Sequence, residues 1–145
     1  MVQVRQISAS ETIPVRQPVL RKGLPVETCF FDGDELSTTV HFGVFEDENL
    51  VGVATLLDNS KDIFEGKQLQ LRGMAVLENV QGKGIGKILL EAGENYAKSR
   101  FFDLIWFNAR TSAQSFYAKN GYLVMGEEFQ IPGVGPHVVM YKKLV

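Results

Sequence analysis

Apolar and polar residues alternate over Val2-Gln-Val-Arg-Gln-Ile7, so the chain is expected to start as a strand. Ser10 stands where a helix cap belongs, ahead of a segment carrying Val15, Val19 and Leu20. Pro14 falls early in that helix, where its missing N–H costs little, whereas Pro18 marks a kink or an early end. Residues 21–38 mix Gly, Pro and acids and read as a loop with room for one short helix. From Thr39 the pattern turns to β. Thr39–Glu46 and Asn49–Asp58 are apolar runs split by a hairpin turn at Asp47-Glu48-Asn49, and a third run follows over Lys67–Val76. Three strands with short links predict an antiparallel meander. Beyond a glycine-rich loop, Ile85, Leu89, Ala92 and Tyr96 recur at spacings of 4, 3 and 4, one stripe of an amphipathic helix. Phe102–Ala109 reads as a buried strand, and the strand–helix–strand unit sets it parallel to the third run. Thr111-Ser-Ala-Gln114 has the form of a capping box, and the helix it opens stops at Asn120-Gly121. Two last strands, Tyr122–Gln130 and Val138–Leu144, flank Pro132-Gly-Val-Gly-Pro136.

The order is therefore β-α-β-β-β-α-β-α-β-β. It predicts an α/β (α+β) protein with a mixed, mostly antiparallel sheet of about seven strands flanked by helices. At 145 residues, without repeats or linkers, one domain over 1–145 is expected. Composition narrows the function classes. Hydrophobic residues at 45% and charged residues at 22% are ordinary for a globular protein, and a net charge of −2 argues against a general nucleic-acid binder. No apolar run reaches a membrane span and no signal peptide is visible, so no membrane association is expected. Cys29 is alone, which forbids an intramolecular disulfide and fits a cytoplasmic location. It is expected to be a buried thiol. No Cys/His cluster has zinc spacing, so no metal is predicted.

The chemistry concentrates at Gln81-Gly82-Lys83-Gly84-Ile85-Gly86-Lys87, between a hydrophobic strand and a helix. That arrangement aims free backbone N–H groups at an anion, and the glycines let phosphates approach the backbone. Lys83 and Lys87 oppose the helix dipole unless a polyanion sits beside them. Two familiar cradles fail on counting. In a P-loop register, Gln81 falls where the first Gly belongs, and Ile88 replaces the magnesium-binding hydroxyl. The dinucleotide fingerprint needs G-x-G-x-x-G, and here Gly82, Gly84 and Gly86 are each two apart. A nucleotide ligand is correspondingly disfavoured.

The pattern Gln/Arg-x-x-Gly-x-Gly/Ala is met by Gln81, Gly84 and Gly86, behind the strand Leu71–Val76. This resembles the acyl-CoA-binding motif of the GNAT superfamily of N-acetyltransferases. A second stretch, Ala113-Gln-Ser-Phe116-Tyr117-Ala-Lys-Asn-Gly121-Tyr122, resembles the family's A-x-x-F-Y-x-x-x-G-F, with Tyr122 for the usual Phe. The element order agrees with the family as well, so the resemblance spans Val2 to Leu144. It implies acetyl-CoA as acyl donor, a primary amine as acceptor and direct attack without an acyl-enzyme. It implies that Gln81–Lys87 bind the CoA phosphates, that backbone groups of Met74, Ala75 and Val76 hold the pantetheine arm and polarise the thioester, and that Phe116 lines the cofactor. Tyr117 would protonate the departing thiolate, an ordinary phenol (pKa about 10) serving a thiol of about 8.5. Where the family commonly carries Asn this chain has Arg110, and Asn108 is the nearby candidate for the pantetheine amide. The family often dimerises through its last strands, so a homodimer is a further implication. Gly73 would mark a bulge that frees the strand's backbone groups.

The residues leave the general base open among Glu78, Glu127, Glu128 and His137, with relay to bulk water as the alternative. Arg16, Arg21 and Arg72 stand out in a slightly acidic chain. Together with His137 they are the candidates for contacting the acceptor, since bidentate arginine suits a carboxylate. The competing reading keeps the fold and drops the chemistry, as a non-catalytic acyl-CoA-binding sensor or interaction module.

Overall fold

Each apolar run pairs with its neighbour in one sheet. The computed structural model describes residues 1–145. It carries strands β1 (Val2–Ile7), β2 (Val40–Glu46), β3 (Asn49–Asp58), β4 (Gln68–Val76), β5 (Leu104–Arg110), β6 (Leu123–Ile131) and β7 (Gly135–Lys143). Helices α1 (Ile13–Leu20), α2 (Ile85–Ser99) and α3 (Gln114–Lys119) are interleaved, and the helix expected within 21–38 is the 3-10 turn Val26–Cys29. The sheet order is β1-β2-β3-β4-β5-β7-β6. All pairs are antiparallel except β4 with β5, so the fold is the predicted mixed, mostly antiparallel one. No helix is long and apolar enough to cross a membrane. The β2–β3 hairpin turns on Asp47 and Glu48, both at positive φ (50° and 69°), the backbone a tight hairpin requires.

The two faces of the sheet hold different elements. On one, α2 packs with Leu56, Leu69, Leu71 and Ile105 in the main core. On the other, Val15 of α1 meets Ile7, Val53 and Ala75. The α2 stripe differs from the expected one. Ile85, Leu89, Gly93 and Ala97 are buried, while Ala92 and Tyr96 sit half-exposed at its border. Gly93 is the reason: a Cβ there would already lie 3.5 Å from Leu56 Cδ1, so the helix approaches the sheet along its smallest residues. A hydrophobicity pattern discounts glycine and rotates the face. Both expected caps also fail. Ser10 lies inside a 3-10 turn and makes no cap bond. The reciprocal pair is Ser8 with Glu11, in which Glu11 N–H donates to Ser8 Oγ (3.3 Å) and Ser8 N–H donates to Glu11 Oε1 (2.9 Å). Thr111 opens a 3-10 turn that leads into α3 without a side-chain cap. At the C-terminal end β7 starts at Gly135, earlier than its apolar run, because Gly135–His137 pair with Phe129–Ile131.

Under α1 the packing is polar. Arg16, 0% exposed, donates from Nη1 to Asp34 Oδ2 (2.6 Å) and the Cys29 carbonyl (2.9 Å), and from Nη2 to Asp34 Oδ1 (3.2 Å) and Thr55 Oγ1 (2.8 Å). His41 continues the network through Nδ1 to Thr55 Oγ1 (2.7 Å) and Nε2 to the Asp34 carbonyl (2.9 Å). A carbonyl only accepts, so His41 Nε2 carries the proton and Nδ1 accepts from Thr55. The loop 21–39 is thereby tied to β2 through the Asp34 carbonyl and to β3 through Arg16, which the Asp34 carboxylate holds. Cys29 is buried, as expected for a lone packed thiol.

Burial alone would raise the Asp34 pKa, but the Arg16 hydrogen bond, the Phe31 N–H and the Arg16 charge together hold it below the ordinary value. Asp34→Asn strands a buried guanidinium and should cost about 3–5 kcal/mol at neutral pH, lowering the melting point by roughly 10–15 °C. Since the folded pKa is depressed, this contribution is full above about pH 4 and fades as pH falls through the folded value. Thermal melts of both proteins across pH should therefore converge in acid. Equal melting at neutral pH would mean that the ion pair does not hold the loop.

Candidate active site

β4 and β5 run parallel only where Gln68, Leu69 and Gln70 meet Leu104, Ile105 and Trp106. Past that point they part, and the sheet opens. The register between β3 and β4 slips at the same level: Thr55 faces Arg72 and Val53 faces Ala75, so Gly73 and Met74 oppose the single residue Ala54. This is a bulge, with Gly73 at φ 62°. Leu77 N–H donates to Val51 O (2.9 Å). Strand alternation then turns the Ala75 N–H toward β3 and those of Met74 and Val76 toward the open side. Of the three backbone donors expected to act together, Ala75 faces away.

The glycine loop follows directly. Gln81 Nε2 donates to the Val76 carbonyl (3.1 Å), so its side chain pins the loop to β4. Gly82 and Gly84 both have φ 84°, and nothing lies within 4 Å of where a Cβ would project. The loop backbone is bare on its outer side. Gly84 caps α2 in the left-handed conformation, with no side-chain cap and no acid in the first turn, which leaves the first amides of the helix without partners. Ile85 turns its side chain into the core. Lys83 is exposed, and Lys87 reaches only Glu91, at 4.0 Å. Gly86 serves packing: a Cβ there would meet Phe116 Cζ at 3.0 Å, so α3 rests against the first turn of α2 through the Phe116 ring. An acid-free, uncapped helix start behind a bare loop fits a diphosphate.

Between the diverging strands lies a cavity of about 500 Å³. Tyr117 reaches it from α3, tilted against Phe107 (ring centroids 4.4 Å apart, planes at 49°) and edge-on to Phe116 (5.3 Å), and its hydroxyl finds no partner in the chain. Burial pushes its pKa up to about 12, opposed only by the Arg110 charge. Tyr122 is tied down instead, donating to Glu94 Oε2 (2.9 Å). Asn108, Arg110 and His137 line the cavity from β5 and β7, and Arg21, Phe31 and Arg72 from the far side. His137 donates from Nδ1 to the Gly135 carbonyl (2.8 Å), which leaves Nε2 with a free lone pair in the neutral ring.

Several sequence candidates fall elsewhere. Arg16 does not reach the cavity; it is fully enclosed with Asp34 and is a structural residue. Glu127 and Glu128 are exposed on β6, and Glu78 is exposed in the turn after β4, all outside the cavity lining. Phe31 and Arg110 went unassigned in the sequence. Phe31 lies in a loop without periodicity, and Arg110 occupied a place where an amide was sought.

The loop, the bulge and the opened sheet define a class. The sequence model of the Acetyltransferase (GNAT) family matches residues 4–122, and the chain belongs to that family of N-acetyltransferases. Among relatives, it is 35% identical over 145 residues to the uncharacterized N-acetyltransferase YitI of Bacillus subtilis (strain 168), covering 99% of this chain and 97% of that one. Its fold is similar to a putative N-acetyltransferase from Lactobacillus plantarum (TM-score 0.80, 22% identity, 99% of each chain). It is similar also to a GNAT family acetyltransferase from Elizabethkingia anophelis with acetyl-CoA bound (TM-score 0.70, 15% identity, 98% and 97% of the chains).

Gly73→Ala tests the bulge. A left-handed alanine costs about 1–2 kcal/mol, and its Cβ would crowd Phe31 Cε2 at 3.2 Å and Arg16 Nε at 3.3 Å. Urea denaturation should show at least that loss. An unchanged midpoint would mean that the bulge relaxes freely.

Proposed function

We propose that the protein transfers an acetyl group from acetyl-CoA to a primary amine of a small-molecule acceptor by direct attack. The observation that carries this reading is the juxtaposition, along one opened strand, of an uncapped, acid-free helix start and a half-buried phenol without a partner in the chain. Gln81–Lys87 hold the diphosphate, through backbone amides and the charges of Lys83 and Lys87. The bound thioester supplies the electrophilic carbonyl. Met74 and Val76 N–H groups, freed on the open side of β4, steady the negative charge that develops on its oxygen. Asn108 offers its amide to the pantetheine arm from β5, and Phe116 fixes α3 so that Tyr117 faces the sulfur.

Tyr117 acts chiefly as a hydrogen-bond donor to the leaving thiolate. With a pKa of about 12 it stays protonated throughout the physiological range, and full proton transfer to a thiolate of about 8.5 runs uphill. Arg110 offsets part of that cost. His137 Nε2, alone among the base candidates in lining the cavity, accepts the proton that the amine loses. CoA departs as a thiolate held by the Tyr117 hydroxyl, and the proton released from nitrogen leaves through His137 to solvent, from which the thiolate is protonated according to its own pKa.

Acetyl-CoA and CoA should each raise the melting point by several degrees at about 100 times Kd, a stabilisation near 2.7 kcal/mol, and Gly84→Asp should remove it. Tyr117→Phe should lower kcat about 10²- to 10⁴-fold while leaving CoA affinity within about twofold, since the hydroxyl acts only as the sulfur departs. A raised pKa keeps the donor intact until pH approaches 12, so kcat should show no alkaline fall up to about pH 10. Normal turnover in the Phe variant would remove Tyr117 from the mechanism. CoA stabilisation without transfer to any amine would favour the sensor reading.

A further inference from the structure

The cavity presents two chemically distinct mouths. Ile105, Phe107 and Ala109 pack on the α2 side of the sheet, whereas Leu104 and Trp106 face the other way. Alternation places Asn108 and Arg110 with Trp106, and His137 pairs with Arg110 in the next strand. Arg72 faces Thr55, which Arg16 of α1 contacts, so it belongs to the same side. The donor loop and Tyr117 thus occupy one side of the opened sheet. Arg21, Phe31, Arg72, Arg110 and His137 gather on the other, where an acceptor would enter.

That second mouth carries three guanidinium groups and no carboxylate, in a chain whose net charge is −2. The nearest acid, Asp34, is 5% exposed and gives both oxygens to Arg16. Arg72 is left with one ion-pair contact, Nη2 to Asp34 Oδ1 at 3.9 Å. Its Nε and Nη2 are buried without hydrogen bonds, and with the side chain 23% exposed, Nη1 remains as the edge open to the cavity. Arg16, Arg21 and Arg72 all lean on the Phe31 ring, with guanidinium carbons 4.1, 4.8 and 6.0 Å from its centroid. A half-buried guanidinium whose one ion-pair contact is long and whose buried N–H groups lack hydrogen bonds is under-compensated, and an incoming anion offsets that cost.

Building on the acetyltransferase reading, we propose that the acceptor is an amine that also bears a carboxylate, held by Arg72 with Arg21 and Arg110 flanking it. The arrangement selects against polycationic amines, whose second ammonium group would meet three arginines and no acid in the cavity lining, Asp32 and Asp34 both lying behind Arg72. It also assists the reaction. Positive charge beside an ammonium group favours its neutral, nucleophilic form, and His137 Nε2 stands on the same side to accept the proton. Phe31 covers the apolar part of the acceptor.

Matched acceptor triads test this in the full-length protein with saturating acetyl-CoA. Alanine, leucine and phenylalanine are each compared with their carboxamide and with the decarboxylated amine, by CoA release and by thermal shift of the CoA-loaded protein. The carboxylate member of at least one triad should be preferred in kcat/KM by about 10- to 100-fold, and Arg72→Gln should bring that ratio toward one through KM. Arg21→Gln, at a half-exposed site, provides a second variant should Arg72→Gln fold poorly, and should narrow the same ratio. Carboxylate-specific stabilisation that depends on Arg72, without turnover, would keep this inference and overturn the transfer reading. Equal or better use of the amides or decarboxylated amines would overturn the inference and leave the transferase intact. Neither turnover nor stabilisation by any carboxylate member would also overturn it.

Discussion

The buried pair between Arg16 and Asp34 is the constraint on which the α1 side of the cavity depends. A guanidinium and a carboxylate removed from water are tolerable only when nearly every remaining valence is used. Here the Cys29 carbonyl, Thr55 Oγ1 and the Phe31 N–H take up most of them. Those partners belong to α1, to the loop 21–39 and to β3. One ion pair therefore fixes a segment that has almost no regular structure of its own. Phe31 and Arg72 inherit their positions from it: the first by its backbone bond to Asp34, the second by lying over the same carboxylate.

The glycine-loop side depends on a different device, the parting of two parallel strands. After three paired residues β4 and β5 diverge, and the Gly73 bulge adds a residue to β4 at the point of divergence. Backbone groups that a continuous sheet would consume become free on the inner edge. The glycine loop continues from that edge, and Gln81 binds it back to Val76. Loop, freed strand and Tyr117 are thus held by main-chain geometry and aromatic packing. The α1 side is held by charge.

Sequence patterns located the elements well because hydrophobic alternation and turn chemistry are local properties. β3 begins and ends where its apolar run does, and the motif around Gly84 names its own loop. Errors arose where a local signal had a competitor. Ser10 and Thr111 were the expected caps and neither makes a cap bond, whereas Ser8, two residues earlier, has Glu11 within reach. Gly93 carried no hydrophobic weight, yet it faces the core because a small residue brings α2 close to Leu56.

What the sequence determined by itself was the element order, the class of fold and the glycine loop at the start of α2, since each is encoded in contiguous residues. Tertiary structure alone decided which arginine is structural and which is free. Arg16 and Arg72 are indistinguishable as letters. They differ because α1 drives the first onto Asp34 under the sheet, while β4 lifts the second to the mouth of the cavity after that carboxylate has been used. The same holds for His137, whose free Nε2 exists because strand pairing sets Nδ1 against the Gly135 carbonyl. Burial and charge compensation depend on residues far apart in the chain, and no local pattern records them.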